Sequence, residues 1–197
     1  MPVQEDATRA QMLRRAIICG GAVIGSAATF GVPQLTAAAS KEQDVRVLNL
    51  VLAVEYTEVA FYGEALERGG LRGELAKYAE IVLEHEKAHV AFLKKALGGA
   101  AEPAPRHDFG DRTKDAKAFT AAAVTLEDLA VATYNGQAVN LTPASLKAAA
   151  RIVSVEGRHA AWIRSLVGDV PATEATDPSV TEDETRAQLT DFGWKAG

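Results

Sequence analysis

Residues 75–97 read LAKYAEIVLEHEKAHVAFLKKAL, and an apolar seam runs through them at alternating spacings of four and three residues. This repeat is expected of α-helices that pack together in a bundle. Glu86 and His89 interrupt the seam near its middle. Residues three apart lie on one helix face with their Cβ atoms ~5–6 Å apart, so this pair is predicted to face the bundle interior, where it could bind one metal ion.

Three further segments carry the same kind of seam, and a glutamate interrupts each of them. The seam positions are Leu48, Leu52, Glu55, Val59, Tyr62 and Leu66 in the first segment, Leu75, Ala79, Val82, Glu86, His89 and Leu93 in the second, Val124, Glu127, Val131, Tyr134 and Ala138 in the third, and Ala149, Ile152, Glu156, His159, Ile163 and Leu166 in the fourth. The pattern predicts four helices that face one another.

The chain contains two similar halves. In each half a tyrosine follows the first glutamate by seven residues, and a Glu-x-x-His motif follows later, as EKAH at 86–89 and as EGRH at 156–159. The first two glutamates are 31 residues apart and the last two are 29 apart. The halves are therefore predicted to be related by a pseudo-twofold axis, with the four glutamates at matching depth.

Caps and glycines predict the helix boundaries. Ser40 with Gln43 indicates a capping box, and Thr142 before Pro143 indicates an N-cap with proline in the first turn. Glycine pairs at 69–70 and 98–99 end the first two helices. The predicted helices span residues 41–68, 71–97, 113 or 115 to about 140, and 143 to about 168.

The connections predict how the helices are arranged. Very short turns join the first helix to the second and the third to the fourth, whereas residues 98–112 form a long link. Such a link can reach ~50 Å, more than the ~40 Å length of one of these helices. The prediction is an all-α, antiparallel four-helix bundle over 40–168, built from two hairpins with a long crossover. Residues 169–197 are polar and are expected to form a loosely packed tail.

The first 39 residues resemble a signal peptide. Arg14 and Arg15 precede an apolar, glycine-diluted run at 16–32, and the alanines at 37–39 suit signal peptidase. The arginine pair favours the twin-arginine route, which predicts cleavage after residue 39 and export to the periplasm, the cell envelope or the medium. The rival interpretation, a membrane anchor, is disfavoured because the run is shorter than the ~20 apolar residues of a spanning helix, so no stable membrane span is expected after cleavage.

Charge and composition exclude some functions. The net charge is −5 with acids and bases interleaved, and no basic patch suggests a nucleic-acid partner. Cys19 is the only cysteine and lies within the predicted signal, so the mature chain has neither a disulfide nor a cysteine metal site.

Four glutamates on inward seams need a source of positive charge. Burying clustered carboxylates is costly unless cations or protons balance them. The nearby Lys87, Arg158 and Arg164 lie off the seams, and two divalent ions would balance four carboxylates. Oxygen and imidazole ligands without thiolate indicate iron or manganese, with zinc as an occupant under other loading conditions.

Two glutamates and two Glu-x-x-His motifs on four helices resemble the di-metal carboxylate site of the ferritin-like superfamily. Over residues 44–168 the chain resembles the exported bacterial ferritin-like domain family that includes desiccation-related proteins. The resemblance implies that Glu55, Glu86 and His89 bind one ion. Glu127, Glu156 and His159 would bind the other, with Glu86 and Glu156 as bridges.

Neighbouring polar residues receive simpler interpretations. A buried tyrosine hydroxyl needs a partner, so Tyr62 and Tyr134 are predicted to donate to ligand carboxylates from facing helices. His85 and Asp128, each next to a ligand, are either solvated or contacts of a ligand. No role is assigned to His107. The acidic residues expected to be solvated are Glu58, Glu64 and Glu84.

The sequence leaves three functions open, and it does not decide the oligomeric state. The first is redox chemistry with dioxygen or peroxide at the metal pair, the second is metal storage or scavenging, and the third is a stress-associated structural module. A rubredoxin-like electron donor is excluded because no Cys-x-x-Cys pair exists. Methionine ligation of haem is excluded in the mature chain because Met1 and Met12 precede residue 40.

Overall fold

The computed structural model describes residues 39–195, and these are predominantly helical. Two-residue strands, β1 (Arg106–His107) and β2 (Trp194–Lys195), form the only sheet within this part of the chain. No helix among the described residues is long and apolar enough to cross a membrane. The five helices are α1 (Lys41–Glu67), α2 (Gly73–Leu97), α3 (Ala116–Gln137), α4 (Pro143–Leu166) and α5 (Glu182–Phe192). The all-α class is thereby confirmed.

The first four helices form two hairpins. α1 packs mainly on α2 and α3 mainly on α4, while α1 also contacts α3 and α2 contacts α4. Gly69, with a φ of 66°, closes the turn between α1 and α2 in the left-handed region that favours glycine. The observed boundaries lie within a few residues of the predicted ones, and the long crossover runs between α2 and α3.

The starts of α1 and α4 are tied together by side chains. Ser40 caps α1 by accepting a 3.2 Å hydrogen bond from the Gln43 backbone N–H. The Gln43 side chain does not complete the predicted capping box and instead donates to Asn140. Thr142 makes no side-chain cap; its hydroxyl donates to the Asp44 carboxylate at 2.6 Å. Asp44 in α1 thus stabilises the first turn of α4.

The core divides into three clusters: a small one contains Leu189 of the C-terminal helix, and the two larger ones lie at the two ends of the bundle. One is rich in aromatic residues and includes Phe61 and Phe119, whose rings stack with centroids 5.3 Å apart. The other is largely aliphatic and includes Val51, Leu93 and Ile152. Between them lie the polar interruptions of the four seams, so apolar packing encloses the polar centre from both ends.

The prediction of a loosely packed tail at 169–197 is wrong for its second half. α5 begins with a capping box between Thr181 and Glu184, and it buries Leu189 and Phe192 against α1 and α3. The chain enters this helix beside α3, where the Val180 backbone N–H donates to the Ala132 carbonyl at 3.1 Å. The apolar residues of this segment are few, but their helical spacing places them on one face.

The crossover is also held by the C-terminal segment. β1 pairs antiparallel with β2, so that His107 lies opposite Trp194. His107 additionally lies 3.0 Å from the Thr57 hydroxyl and stacks on Phe109. The residues after α5 therefore bind the crossover to the bundle.

Gly136 allows α3 to contact the chain before α5. A Cβ at this position would lie 1.9 Å from the Val180 carbonyl oxygen. We expect Gly136→Ala to lower the free energy of unfolding by about 1–3 kcal/mol, because the backbone must shift, although alanine favours helices. Denaturant unfolding measures this change. Gly63→Ala in α1, where no atom lies within 4 Å of the added Cβ, is the control, and equal stability of the two variants would contradict this packing.

Candidate metal centre

The six predicted ligand residues come together at the middle of the bundle. Each of the four long helices contributes one of the predicted glutamates, all four at 0 % exposure, and α2 and α4 add one buried histidine each. Their ligand atoms form two overlapping sets, within each of which all atoms lie within 4.8 Å of one another. The sets are Glu55, Glu86, His89 and Glu156, and Glu86, Glu127, Glu156 and His159.

Glu86 and Glu156 belong to both sets because each has one oxygen near His89 and the other near His159. Glu86 places Oε2 2.8 Å from His89 Nδ1 and Oε1 3.0 Å from His159 Nδ1. Glu156 places Oε1 2.9 Å from His89 Nδ1 and Oε2 3.3 Å from His159 Nδ1. A carboxylate that offers one oxygen to each of two adjacent positions has the geometry of a bridging ligand.

Glu55 and Glu127 each serve one set, and a tyrosine orients each of them. Tyr134 donates to Glu55 Oε1 at 2.6 Å, which leaves Oε2 3.2 Å from His89 Nδ1. Tyr62 donates to Glu127 Oε1, which leaves Oε2 3.5 Å from His159 Nδ1. Both tyrosine contacts with carboxylates on facing helices agree with the sequence prediction.

The arrangement around each imidazole fits a cation better than a proton. Three carboxylate oxygens from three helices lie within 3.5 Å of each Nδ1, whereas one N–H group cannot donate well to three acceptors. Several inward atoms have no hydrogen-bond partner among the described residues, including both oxygens of Glu156 and Nδ1 of His159. Buried unpaired polar groups are rare in proteins, so convergent atoms of this kind suit a metal ion.

Without metal, the histidines are the cations of the cluster. Burial alone would lower their pKa values, but the glutamate oxygens within 3.5 Å of each Nδ1 raise the pKa of His89 and of His159 to about 12. Burial raises the pKa of Glu127 to about 7, although His159 opposes this. For Glu86, burial would raise the pKa, but the two imidazoles that lie within 3.0 Å of its oxygens outweigh burial and lower the pKa to about 2. Protons and imidazolium ions together balance the carboxylates in this state.

His85 contacts the centre from the protein surface. Its Nδ1 lies 2.9 Å from Nε2 of His159, and the two rings stack. If Nδ1 of His159 faces a cation, Nε2 must carry the proton and donate it to His85. The second nitrogen of a metal-binding histidine is usually fixed in this way, so His85 orients His159.

Three acidic residues named in the sequence analysis make contacts outside the cluster. Glu84 is exposed and pairs with Lys87. Asp128 is half-buried and pairs with Arg164. Glu64 is half-buried and accepts a hydrogen bond from Thr113.

The expectation that Glu58 is solvated is wrong, since its side chain is fully buried. Burial raises its pKa well above the ordinary value, and repulsion by Glu86 raises it further. The spacing of three residues from Glu55 could have signalled this, because it equals the spacing of each Glu-x-x-His motif. Tyr78 is a second omission: it lies 3.0 Å from the Tyr62 hydroxyl, and the internal repeat does not predict it because the equivalent position in the second half is Ala148.

The tyrosine that orients Glu55 can be tested directly. Tyr134→Phe leaves a buried carboxylate oxygen without its donor, which should lower metal affinity about 10–100-fold, as expected for a residue that positions a ligand. Metal titration against a competing chelator measures the change. Tyr56→Phe is the control because the Tyr56 hydroxyl makes only an exposed contact with the Glu102 carbonyl. Equal affinities for the two variants would contradict the positioning role.

Fold and site together define a class of protein: an all-α bundle whose interior holds a carboxylate and histidine cluster compatible with metal binding. The chain belongs to the ferritin-like domain family, whose model matches residues 43–169. No curated protein matches the chain significantly.

Proposed function

We propose that the protein binds a dinuclear iron or manganese centre and uses it for redox chemistry with dioxygen or peroxide. The observation that carries the proposal is the shared placement of Glu86 and Glu156, each of which offers one oxygen to each histidine. Glu55 with His89 would complete one ion's ligands, and Glu127 with His159 would complete the other's. Two such ions would supply reversible one-electron oxidation and reduction at adjacent positions.

The surrounding residues would support this chemistry in specific ways. Tyr62 and Tyr134 keep their protons, because burial and the neighbouring glutamates raise both pKa values well above the ordinary value. They can therefore remain donors to Glu127 and Glu55 while the charge of the centre changes. The apolar clusters at both ends exclude bulk water, which strengthens the electrostatic interactions inside.

Peroxide turnover tests the redox proposal. Protein loaded with Fe²⁺ or Mn²⁺ receives excess hydrogen peroxide, and both peroxide loss and dioxygen release are followed. We expect sustained consumption that depends on the loaded metal and is lost in Glu86→Gln. Consumption that stops after the bound ions are oxidised would contradict turnover.

Two alternatives remain beside the redox function. Storage or scavenging would require that the protein retain iron far beyond two ions per chain. A structural module would bind two ions without turnover, and the contribution of all four long helices to the cluster favours it as the second candidate. Iron loading followed by metal analysis separates these outcomes.

We further propose export by the twin-arginine route, and residues 1–38 of the predicted signal lie outside the part of the chain that the structure describes. The support is the arginine pair at 14–15 followed by the apolar run. Replacement of Arg14 and Arg15 by lysine should block export, and the exported wild type should begin near residue 40. Normal export of the lysine variant would contradict the route, and a mature N-terminus near Met1 would contradict cleavage.

A further inference from the structure

A fifth carboxylate lies inside the bundle beside the six proposed ligands. Glu58 is 0 % exposed, and neither of its carboxylate oxygens has a hydrogen-bond partner among the described residues. A buried carboxylate in this state is strongly unfavourable unless a cation or a proton compensates it. Glu58 is therefore a polar group that the protein fold alone does not satisfy.

The position of Glu58 in α1 directs it to the centre. It follows Glu55 by three residues and so shares its helix face. Helical side chains lean toward the N-terminus, which carries the Glu58 carboxylate toward the turn of Glu55. Tyr62 follows Glu58 by four residues on the same face, and its hydroxyl donates to Glu127. Glu58 therefore lies on the side of the set that contains Glu127 and His159, although its own oxygens belong to neither set of converging atoms.

Glu58 also breaks the symmetry of the two halves. The residue three positions after Glu127 is Ala130, which is buried and packs with Val54, Leu129 and Leu189. The second half thus has an alanine beneath α5 where the first half has an acid. The second half therefore offers no corresponding carboxylate to the other ion.

We infer that Glu58 is a further ligand of the paired metal centre and binds the ion held by Glu127 and His159. This inference rests on the proposed function. Four carboxylates neutralise two divalent ions, so a fifth gives the centre one negative charge in excess. That charge favours the higher oxidation state of the metal, and it makes the two metal positions unequal in affinity.

Zinc titration against a competing chelator tests the assignment without requiring turnover. Wild-type protein is expected to bind two Zn²⁺ ions. Glu58→Gln should bind one of them as the wild type does and the other about 10–100-fold more weakly. Glu64→Gln, which removes a half-buried carboxylate from the same helix away from the cluster, should match the wild type.

A redox titration of iron-loaded protein gives a second measurement, in which Glu58→Gln should shift the midpoint potential to a more positive value.

The zinc titration decides the assignment. Equal affinity of Glu58→Gln and wild type for both Zn²⁺ ions would overturn the inference, irrespective of the midpoint potential. A wild type that binds no ion pair would contradict the proposed function instead. The chelated variant should melt at or above the chelated wild type, and a clearly lower melting temperature would show that protein groups hold Glu58, which also overturns the inference.

Discussion

Glu86→Gln should abolish binding of both ions, whereas Glu55→Gln should weaken mainly one. Glu86 offers an oxygen to each histidine, at 2.8 and 3.0 Å, so its loss removes a ligand from both sets at once. Glu55 approaches only His89, at 3.2 Å. The amide of glutamine keeps the size of the side chain but removes the negative charge that metal binding needs. Metal content after dialysis, together with chelator competition, measures both effects.

Glu84→Gln provides the matched control, because Glu84 lies on the same helix two residues away and is exposed. It should bind both ions like the wild type. An equal loss of metal binding in Glu55→Gln and Glu86→Gln would contradict the distinction between bridging ligands and ligands of a single ion. Full binding by Glu86→Gln would contradict the site itself.

The metal-free protein should lose stability as the pH rises, and metal should reverse this dependence. The folded-state pKa of Glu127 is raised from 4.5 to about 7 and that of His89 from 6.5 to about 12, so the folded chain binds more protons than the unfolded chain. Groups with raised pKa values stabilise fully below their unfolded pKa and lose that contribution as the pH rises through the folded value. The decline should therefore begin above pH 4.5 and continue beyond neutrality.

Bound ions compete with protons for the same atoms, so metal-loaded protein should gain stability over the same range. Saturation at a hundred times the dissociation constant adds about 2.7 kcal/mol to the free energy of unfolding. Thermal melts between pH 5 and 8, with chelator and with Mn²⁺, measure how the melting temperature depends on pH in the metal-free and the metal-loaded protein. A pH-independent melting temperature in chelator would contradict the charge assignment.

Replacing both bridges with leucine separates charge from packing in the same experiment. In Glu86→Leu with Glu156→Leu, His89 keeps Glu55 at 3.2 Å and His159 keeps Glu127 at 3.5 Å. Leucine removes two buried carboxylates, but it also removes partners that hold both imidazolium ions in the metal-free state, and breaking such buried pairs is destabilising. At pH 7 in chelator this variant should therefore melt below the wild type, and it should bind no pair of ions. A melting temperature above that of the wild type would mean that the histidines do not hold the bridging glutamates without metal, which would contradict the charge assignment.

The internal repeat explains why the sequence predicts most of the site. A seam with alternating spacings places Glu86 and His89 on one helix face by geometry alone, and the second half repeats the pattern at Glu156 and His159. Burial of such charged groups requires compensation wherever it occurs. Neither step depends on contacts between residues that are distant in the chain, which the sequence alone does not reveal.

Glu58 shows where this reasoning fails. The seam assigned the inward position to Val59, yet a helix of 3.6 residues per turn directs residues three and four positions after Glu55 to nearly the same side. At the crowded middle of the bundle Glu58 is buried and Val59 only half-buried. A fixed spacing cannot decide between two such neighbours.

The sequence pattern does not predict helix α5, and the reason is a different one. Its composition is polar, and a helix of 11 residues is marginal in isolation. Leu189 and Phe192 stabilise it through contacts with residues distant in sequence, such as Val54 and Phe61. Stability of this kind comes from tertiary packing, which propensity does not predict.

Anomalous diffraction from crystals of protein purified after export from its own kind of cell tests the central claim most directly. Data collected at the iron and manganese absorption edges would identify each ion and locate it. We predict two peaks inside the bundle, about 3.5–4 Å apart as in other two-metal sites, each in contact with both Glu86 and Glu156. A single peak, or peaks only at the protein surface with the four glutamates bound to protein groups, would contradict the account.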